Sequence, residues 1–416
     1  MFWLIENNDQ LQGLQNRKIK ESFVEIIPYS HNIHPSKNSI CAVYIRPLNS
    51  HKGYIITVSH EEAFQVDINA IEQLLDTHET IYVRDKKEFL HYLPIQGLID
   101  SSLPPYPYIP DLTPTHRFFY SKKQFLNSLI PLTKHYQYCE NMFRELKPFF
   151  NPQPNKFFNT KATLVFNSIE KNPIKIDKKE FEKHFYPPKQ DTINSYFNFK
   201  TLTTRPSNKF GGVNLAGLNK TNGERKIILP TNDILFEIDI SAYHPALLGR
   251  LIGYEFKHKD IHKEFAKMYG VGYNEAKKLT FRQIYGGVFK EYKHIEFFER
   301  VEKYTKELWE KFHSQGYIEV PISKYRFDSK TYEDMNPQKL LNYLLQGLET
   351  ALNVVIMEKI IKLLKDKPTR LISYTYDSFL FDVDKGDKPE IKKIMSIFEN
   401  YGLNIKFDYG YTYDFG

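Results

Sequence analysis

Apolar positions along this chain change period several times, and each change predicts a new element. Ser22–Ile27, Ile40–Ile45 and Tyr54–Val58 are β-rich runs bounded by Pro, Asn, Ser and Gly. Ile68–Leu75 has the spacing of an amphipathic helix, and a short strand at Thr80–Val83 and a helix through Phe89–Leu93 follow it. That alternation predicts a compact α/β domain over 1–115. Its end is marked by Pro104, Pro105, Pro107, Pro110 and Pro114, a stiff extended stretch. From Tyr120 to about Phe150 the spacing is helical again (Phe125, Leu126, Leu129, Ile130, Leu132), until Asn151-Pro-Gln-Pro154 breaks it. A helix at Lys161–Lys171, the extended run Asn172–Asp177 and a lysine-rich helix at 178–185 complete a helical linker region, 116–200. No internal repeat or low-complexity tract appears.

Beyond Thr201 three segments carry chemistry. In the first, the apolar run Leu235-Phe-Glu-Ile-Asp239-Ile delivers one carboxylate and then breaks into a helical pattern after Pro245. An acid at a strand end before a turn is well placed to hold a metal ion. In the second, Asn274–Gly287, Lys277, Phe281 and Tyr285 recur every four residues and share one helix face. A cation and two rings on one face suit a nucleoside triphosphate, with charge for phosphates and a flat surface for the base. Arg282 and Lys278 adjoin that face, and Gly286-Gly287 ends or bends the helix.

In the third, Ile372, Tyr374 and Tyr376 alternate with Leu371, Ser373 and Thr375 before a turn at Asp377-Ser378, and Phe379 and Phe381 begin a return strand. Each segment alone has a structural explanation: a capping acid, a helix packed on a core, a turn aspartate. Their order and combination do not. An acid at a strand end, a Lys/Phe/Tyr helix and an acid at a hairpin tip make the architecture of a template-directed polymerase.

Composition adjusts this picture slightly. The 416 residues carry a formal charge of +7, which suits a polyanionic partner without requiring one. Aromatic residues are plentiful, 32 Phe and 29 Tyr, enough for both cores and base stacking. Cys41 and Cys139 show no metal-ligand spacing and no disulfide framework, so a reducing cytoplasm is expected. The N-terminus lacks the pattern of a signal or transit peptide, no uninterrupted apolar run spans a bilayer, and no membrane role is expected. Lys220–Lys226 lacks the glycine frame of a P-loop. His258 and His262 sit at i, i+4 but lack supporting acids, and read as surface or nucleic-acid-facing residues.

The three segments resemble motifs A, B and C of family A (polymerase I-like) DNA polymerases, in a compact form such as phages or mobile elements encode. Thr203-Thr-Arg205-Pro-Ser-Asn208 and Phe210-Gly-Gly-Val-Asn214-Leu215 resemble the primer-template motif that precedes motif A. Asp260-Ile-His262, Gly316-Tyr-Ile-Glu319 and Asn342-Tyr-Leu-Leu-Gln346-Gly347 fall in family order, so the resemblance covers roughly 160–416. It implies an α/β (α+β overall) right-hand palm at 201–416, with fingers inserted at about 255–335 and a reduced thumb. An RNase H-like, 3′–5′ exonuclease-type domain would precede it.

Asp239 and Asp377 would hold two Mg2+ ions, with Mn2+ as a substitute, about 4 Å apart. Lys277 would grip the triphosphate, Phe281 would lie against the base or sugar, and Tyr285 would sit near the templating position, with Arg282 assisting. Arg205, Asn214, Arg225, Asn342 and Gln346 would contact the primer-template duplex. The implied partners are primer-template DNA, dNTPs and a processivity or replisome protein, around a monomer.

Departures from the family pattern are informative. Motif C usually reads His-Asp-Glu; here Tyr376-Asp377-Ser378 lacks the second carboxylate, so two aspartates alone are expected to bind metal. The motif A Glu that excludes a ribose 2′-hydroxyl is His244, with Tyr243 beside it, and either side chain can serve as the gate. Tyr273 replaces an arginine one turn before Lys277. The long thumb insertion is missing, so a very small thumb, or one built from 116–150, is expected, with low processivity. The first strand's Glu25-Ile26-Ile27 is not an Asp-x-Glu, and Asp85 and Asp100 lack context, so the exonuclease-like domain is expected to be degenerate. Two alternatives stand beside a DNA polymerase: an RNA polymerase or primer-synthesising enzyme on the same palm, and an inactive nucleic-acid-binding relic.

Overall fold

The computed structural model describes residues 2–94, 107–112, 127–150, 155–332 and 334–415. Asp100, Pro104, Pro105, Pro114, Phe125, Leu126 and residues 151–154 lie outside them. The chain divides into two compact units, Met1–Lys171 and Asn172–Gly416. Boundaries near 115 and 200 were expected; the division between the units falls after Lys171, at the end of the N-terminal unit.

That unit starts with two elements the hydrophobic pattern did not predict, β1 (Trp3–Ile5) and α1 (Asn8–Gln15), whose first turn is capped by Asn7. β2 (Glu21–Pro28), β3 (Ile40–Pro47) and β4 (Tyr54–Thr57) form an antiparallel meander. After α2 (Ile68–Asp76), β5 (Thr80–Val83) returns parallel to β2, giving the order β1-β4-β3-β2-β5. α3 (Lys86–Tyr92) follows, and Tyr108 and Asp111 bridge in parallel to β5 on its far side. Odd and even positions of β2 and β3 enter two different cores. Val24, Ile26, Val43 and Ile45 pack with Leu11, Leu14, Ile71, Leu74 and Leu90. Phe23, Ile27, Ala42 and Tyr44 pack with Cys139, Met142, Phe143 and Leu146 of α4 (Leu132–Leu146).

A strand covered on both faces reads as a continuous apolar run, which is how these strands appear in the sequence. α4 is therefore the second cover of the N-terminal sheet, where a thumb contribution from 116–150 was expected. α5 (Thr163–Glu170) closes the unit through Glu170, whose fully buried carboxylate accepts from Lys87 Nζ at 2.6 and 2.7 Å and pairs with His91 at 2.7 Å.

The C-terminal unit opens with β6 (Pro173–Ile176), α6 (Lys178–His184) and β7 (Thr192–Asn194). β8 (Phe197–Asn198), β9 (Ser207–Phe210) and β10 (Val213–Asn214) form a small sheet, and β11 (Ile228–Leu229) pairs with β6. The central element is β12 (Ile234–Ile240), which leads to α7 (Tyr243–Leu251), α8 (Ile261–Tyr269), α9 (Tyr273–Gly286) and α10 (Glu296–Gln315). β13 (Tyr317–Glu319) and β14 (Arg326–Asp328) make a hairpin before α11 (Pro337–Leu363). β15 (Arg370–Thr375), β16 (Ser378–Val383), α12 (Lys388–Asn400) and β17 (Ile405–Gly410) finish the chain.

The main sheet, β15-β16-β12-β17, is wholly antiparallel. α11 is long and apolar enough to cross a membrane by length and composition, yet 78% of that stretch is buried within the protein. It is a core helix, apolar nearly all round because neighbours surround it.

Phe379 has no exposed surface and packs at 5.2 Å from Tyr374 and 4.9 Å from Phe398. Phe379→Ala leaves a ring-sized void behind the main sheet and is expected to cost about 3–5 kcal/mol. Urea unfolding measures this; a loss below about 1 kcal/mol would mean that the sheet and α12 collapse onto the void.

Candidate active site

Two backbone devices bring the acids together. Asp239 lies near the end of β12, opposite Ser378 of β16 and Lys406 of β17. The chain then turns through Ala242, at a left-handed φ of 51°, into α7. The β15–β16 hairpin turns at Tyr376-Asp377, with Tyr376 at φ 58°; Ser378, expected in the turn, already belongs to β16. Left-handed backbone at a non-glycine residue costs about 1 kcal/mol, so both acids stand beside strained turns held by their surroundings. The Ile240 N–H donates to the Asp377 carbonyl at 2.8 Å and pins the hairpin tip against the end of β12. The alternation expected for β15 is interrupted by a register shift between Leu371 and Ser373, and Leu371–Tyr374 are all buried.

The electrostatics follow from that pinning. Burial first, then the neighbouring Asp239 and Glu349 carboxylates, push Asp377 up to about 6. Asp239 is also raised, by burial and by Glu237, while Lys277 and Lys406 pull it back. Among the described residues no set of three His, Cys, Asp or Glu side chains is placed to share a cation. Asp239 and Asp377 form a mutually repelling pair that Lys277, Lys406 and Arg205 offset only in part.

Glu237 was not singled out in the sequence. It precedes Asp239 by two residues on the same strand face and is buried. The Ser378 hydroxyl donates to it, as does the Tyr413 hydroxyl at 2.9 Å, and Arg225 stands 3.8 Å away. Arg225 also lies over the Tyr413 ring at 4.5 Å and donates to the Leu218 carbonyl. Arg225, expected to contact duplex DNA, lies between Glu237 and the Tyr413 ring. The only sequence signal for Glu237 was its period-2 relation to Asp239.

On α9, Lys277 is exposed and Phe281 and Tyr285 stack with centroids 5.8 Å apart and planes within 12°. Arg282 turns to the Phe289 ring at 5.5 Å. Asp260 caps α8 by accepting from the His262 and Lys263 N–H groups. His262, read as a surface residue, is only 2% exposed and packs edge-on to Tyr273 and tilted against Phe281. Burial and the Lys277 charge push it down to about 4, so it is neutral near pH 7, and its Nδ1 has no hydrogen-bond partner among the described residues.

The two gate candidates separate cleanly. Tyr243 is buried and donates to Asn353 Oδ1 at 2.7 Å, while Asn353 donates to Tyr374 Oη and the Tyr376 carbonyl. His244 instead bridges two elements, with Nδ1 2.7 Å from the Tyr285 hydroxyl of α9 and Nε2 2.5 Å from Glu349 of α11. Arg205 donates through Nε to Glu349 at 3.0 Å and lies 3.7 Å over the Tyr376 ring. Gln346 accepts from Thr203 at 2.8 Å and donates to Asn342 at 3.1 Å, and Asn214 is exposed on β10. Asp239, Asp377, Lys277, Phe281, Tyr285, His244 and Arg205 thus belong to one connected region. Glu349 was not read from the sequence.

No protein-family model matches this chain, and no curated protein is similar to it. Among solved structures it is similar over its whole length to the POL domain of Pol1 from M. smegmatis in complex with DNA primer-template and dNTP. The TM-score is 0.68 at 13% identity, and the match covers 100% of each chain. The C-terminal and N-terminal units together therefore have the fold of that POL domain.

Folded, Asp377 holds its proton more tightly than an ordinary aspartate of 3.8. Through this group the cation-free protein loses stability as pH rises from about 4 to about 6. A divalent cation held at the pair would reverse the penalty. Mg2+ is expected to raise Tm by about 3 °C or more at pH 7.5 and by much less at pH 5. Asp377→Asn should erase that pH dependence; an equal Mg2+ shift at both pH values would sink the assignment.

Proposed function

We propose that this protein is a template-directed DNA polymerase of the family A type, adding dNTPs to a primer 3′ end. The observation that carries the reading is the pinned Asp239–Asp377 pair beside the Lys277/Phe281/Tyr285 face of α9. The fold similarity to a POL domain supports it. The donor set fits divalent metal: two adjoining carboxylates, both held above their ordinary pKa by burial and repulsion despite Lys277, Lys406 and Arg205 nearby. Asp239 and Asp377 would hold Mg2+, or Mn2+ in its place, and bound metal would activate the 3′-hydroxyl and neutralise the triphosphate.

The chain's own groups do the rest. Lys277 draws the triphosphate toward α9, and neutral His262 behind it offers Nδ1 without adding charge. Phe281 presents a flat surface to the base or sugar, and Tyr285 closes the inner end of that face. Arg205, steered by Glu349 and the Tyr376 ring, would contact the primer-template duplex together with Asn214, Asn342 and Gln346.

The N-terminal unit we read as RNase H-like, because an antiparallel meander is followed by parallel strands on the side of its first strand. Its first-strand acid does not serve excision in this reading. Glu25 is 4% exposed and accepts from Arg84 at 3.0 Å, and the same guanidinium takes Glu88. Asp85 is used as the α3 cap. The thumb is reduced to the neighbourhood of α6, only seven residues long, which favours short runs of synthesis. A second reading, ribonucleotide polymerisation, is favoured by Ser378 after the motif C acid.

Primer extension with Mg2+ and either dNTPs or NTPs tests these readings together. Templated dNTP addition is expected, with short products when trap DNA is in excess; preferential NTP use would favour the second reading. Asp239→Ala and Asp377→Ala should each lose extension by on the order of 10³-fold or more while still binding duplex. Retained activity would remove the metal assignment. A mismatched 3′ end should stay uncut in Mg2+, and its excision would overturn the account of Glu25 and Arg84.

A further inference from the structure

Glu349 is a buried carboxylate of this region that holds no metal and touches no primer-template in the reading above. It sits on α11, 1% exposed, in contact with groups from two other elements. One oxygen accepts from Arg205 Nε at 3.0 Å, and the other lies 2.5 Å from His244 Nε2 and 3.4 Å from a terminal nitrogen of Arg205. A carboxylate accepts, so His244 must donate from Nε2. Its Nδ1 is then an acceptor and takes the Tyr285 hydroxyl at 2.7 Å. The result is an unbroken chain: Arg205, Glu349, His244, Tyr285. Its two ends are the primer-side arginine and the fingers helix.

We propose that Glu349 is a positioning residue for sugar selection. It fixes the tautomer and orientation of His244, so that the imidazole stands as a rigid gate against a ribose 2′-hydroxyl, and it ties that gate to Arg205. The inference rests on the polymerase reading and deepens it. A buried hydrogen-bonded carboxylate is costly unless every bond is made, and here each bond holds a group that faces the site. Packing alone would be served by an apolar side chain of similar size.

Glu349→Gln makes the point testable, because an amide cannot accept from both Arg205 and His244. Its NH2 must face one of them. If it faces His244, the ring has to move its proton to Nδ1 and the Tyr285 hydroxyl has to become the acceptor. Steady-state incorporation of a matched dNTP and rNTP, on the full chain with Mg2+, reads the effect. The ratio of the two kcat/KM values is expected to fall about 10-fold in Glu349→Gln, chiefly through a lower KM for the rNTP. In a His244→Ala background the same substitution should leave the ratio unmoved.

Nitrogen-15 shifts of His244 should show Nε2–H in the wild type and the other tautomer in Glu349→Gln. Tyr285→Phe, which removes only the hydroxyl at the far end, should lower the ratio in the same direction and serves if Glu349→Gln does not fold. An active wild type whose ratio is unchanged by Glu349→Gln and by Tyr285→Phe overturns this inference alone. A ratio that falls equally with and without His244 overturns it as well, by making Glu349 a general support. A wild type that incorporates no nucleotide overturns the polymerase reading and this inference with it.

Discussion

The bond from the Ile240 N–H to the Asp377 carbonyl fixes the distance between two chain segments that have every electrostatic reason to separate. It closes a hairpin tip against a strand end and brings two carboxylates into a partly buried space. Burial first, then the like charges of Asp239 and Glu349, make ionisation costly there, and Asp377 is pushed up to about 6. The rest of the C-terminal unit can be understood as support for this unfavourable contact. The six-residue pairing of β12 with both β16 and β17 supplies rigidity. The strained turns at Ala242 and Tyr376 are held by Asn353, which donates to Tyr374 and to the Tyr376 carbonyl, and by the Tyr243 hydroxyl. Every member of that buried polar group is satisfied, the condition under which such networks stiffen a core.

Much of this was legible because it is local. A period of two followed by a turn located Asp239, a period near four located the α9 face, and alternating residues located the Asp377 hairpin. What pairs across the sequence was not legible. His244 and Glu349 are 105 residues apart, and Ser378 and Glu237 are 141 apart. No periodicity announces such partners. His262 failed for a related reason: its neighbours, Tyr273 and Phe281, come from the next helix, so a residue that looked exposed on α8 is covered by α9.

The N-terminal unit shows the same division. Its strands were found because β2 and β3 are covered on both faces and therefore continuously apolar. α4 was found as a helix but assigned outside the unit, because spacing shows that a helix has an apolar face and not what the face meets. Cys139, Met142 and Phe143 settle that by packing on Phe23 and Tyr44. Glu25 was weighed as one acid of an incomplete set. The structure adds the cation that occupies it, Arg84, a pairing for which the sequence offered only proximity to β5.

Two positions of this region take a common form. After Asp377, Ser378 donates its hydroxyl to Glu237, on the neighbouring strand. At the start of α7, His244 has Glu349 of α11 behind its imidazole. In both cases a hydroxyl or imidazole is bonded to a buried acid from another element. Glu237 lies under Ser378, Tyr413 and Arg225, so it can bias Asp239 electrostatically without reaching a shared cation. Glu349 has no free oxygen after Arg205 and His244 are satisfied, so it acts only through them. A carboxylate held behind another side chain by such bonds acts by orienting the group in front of it.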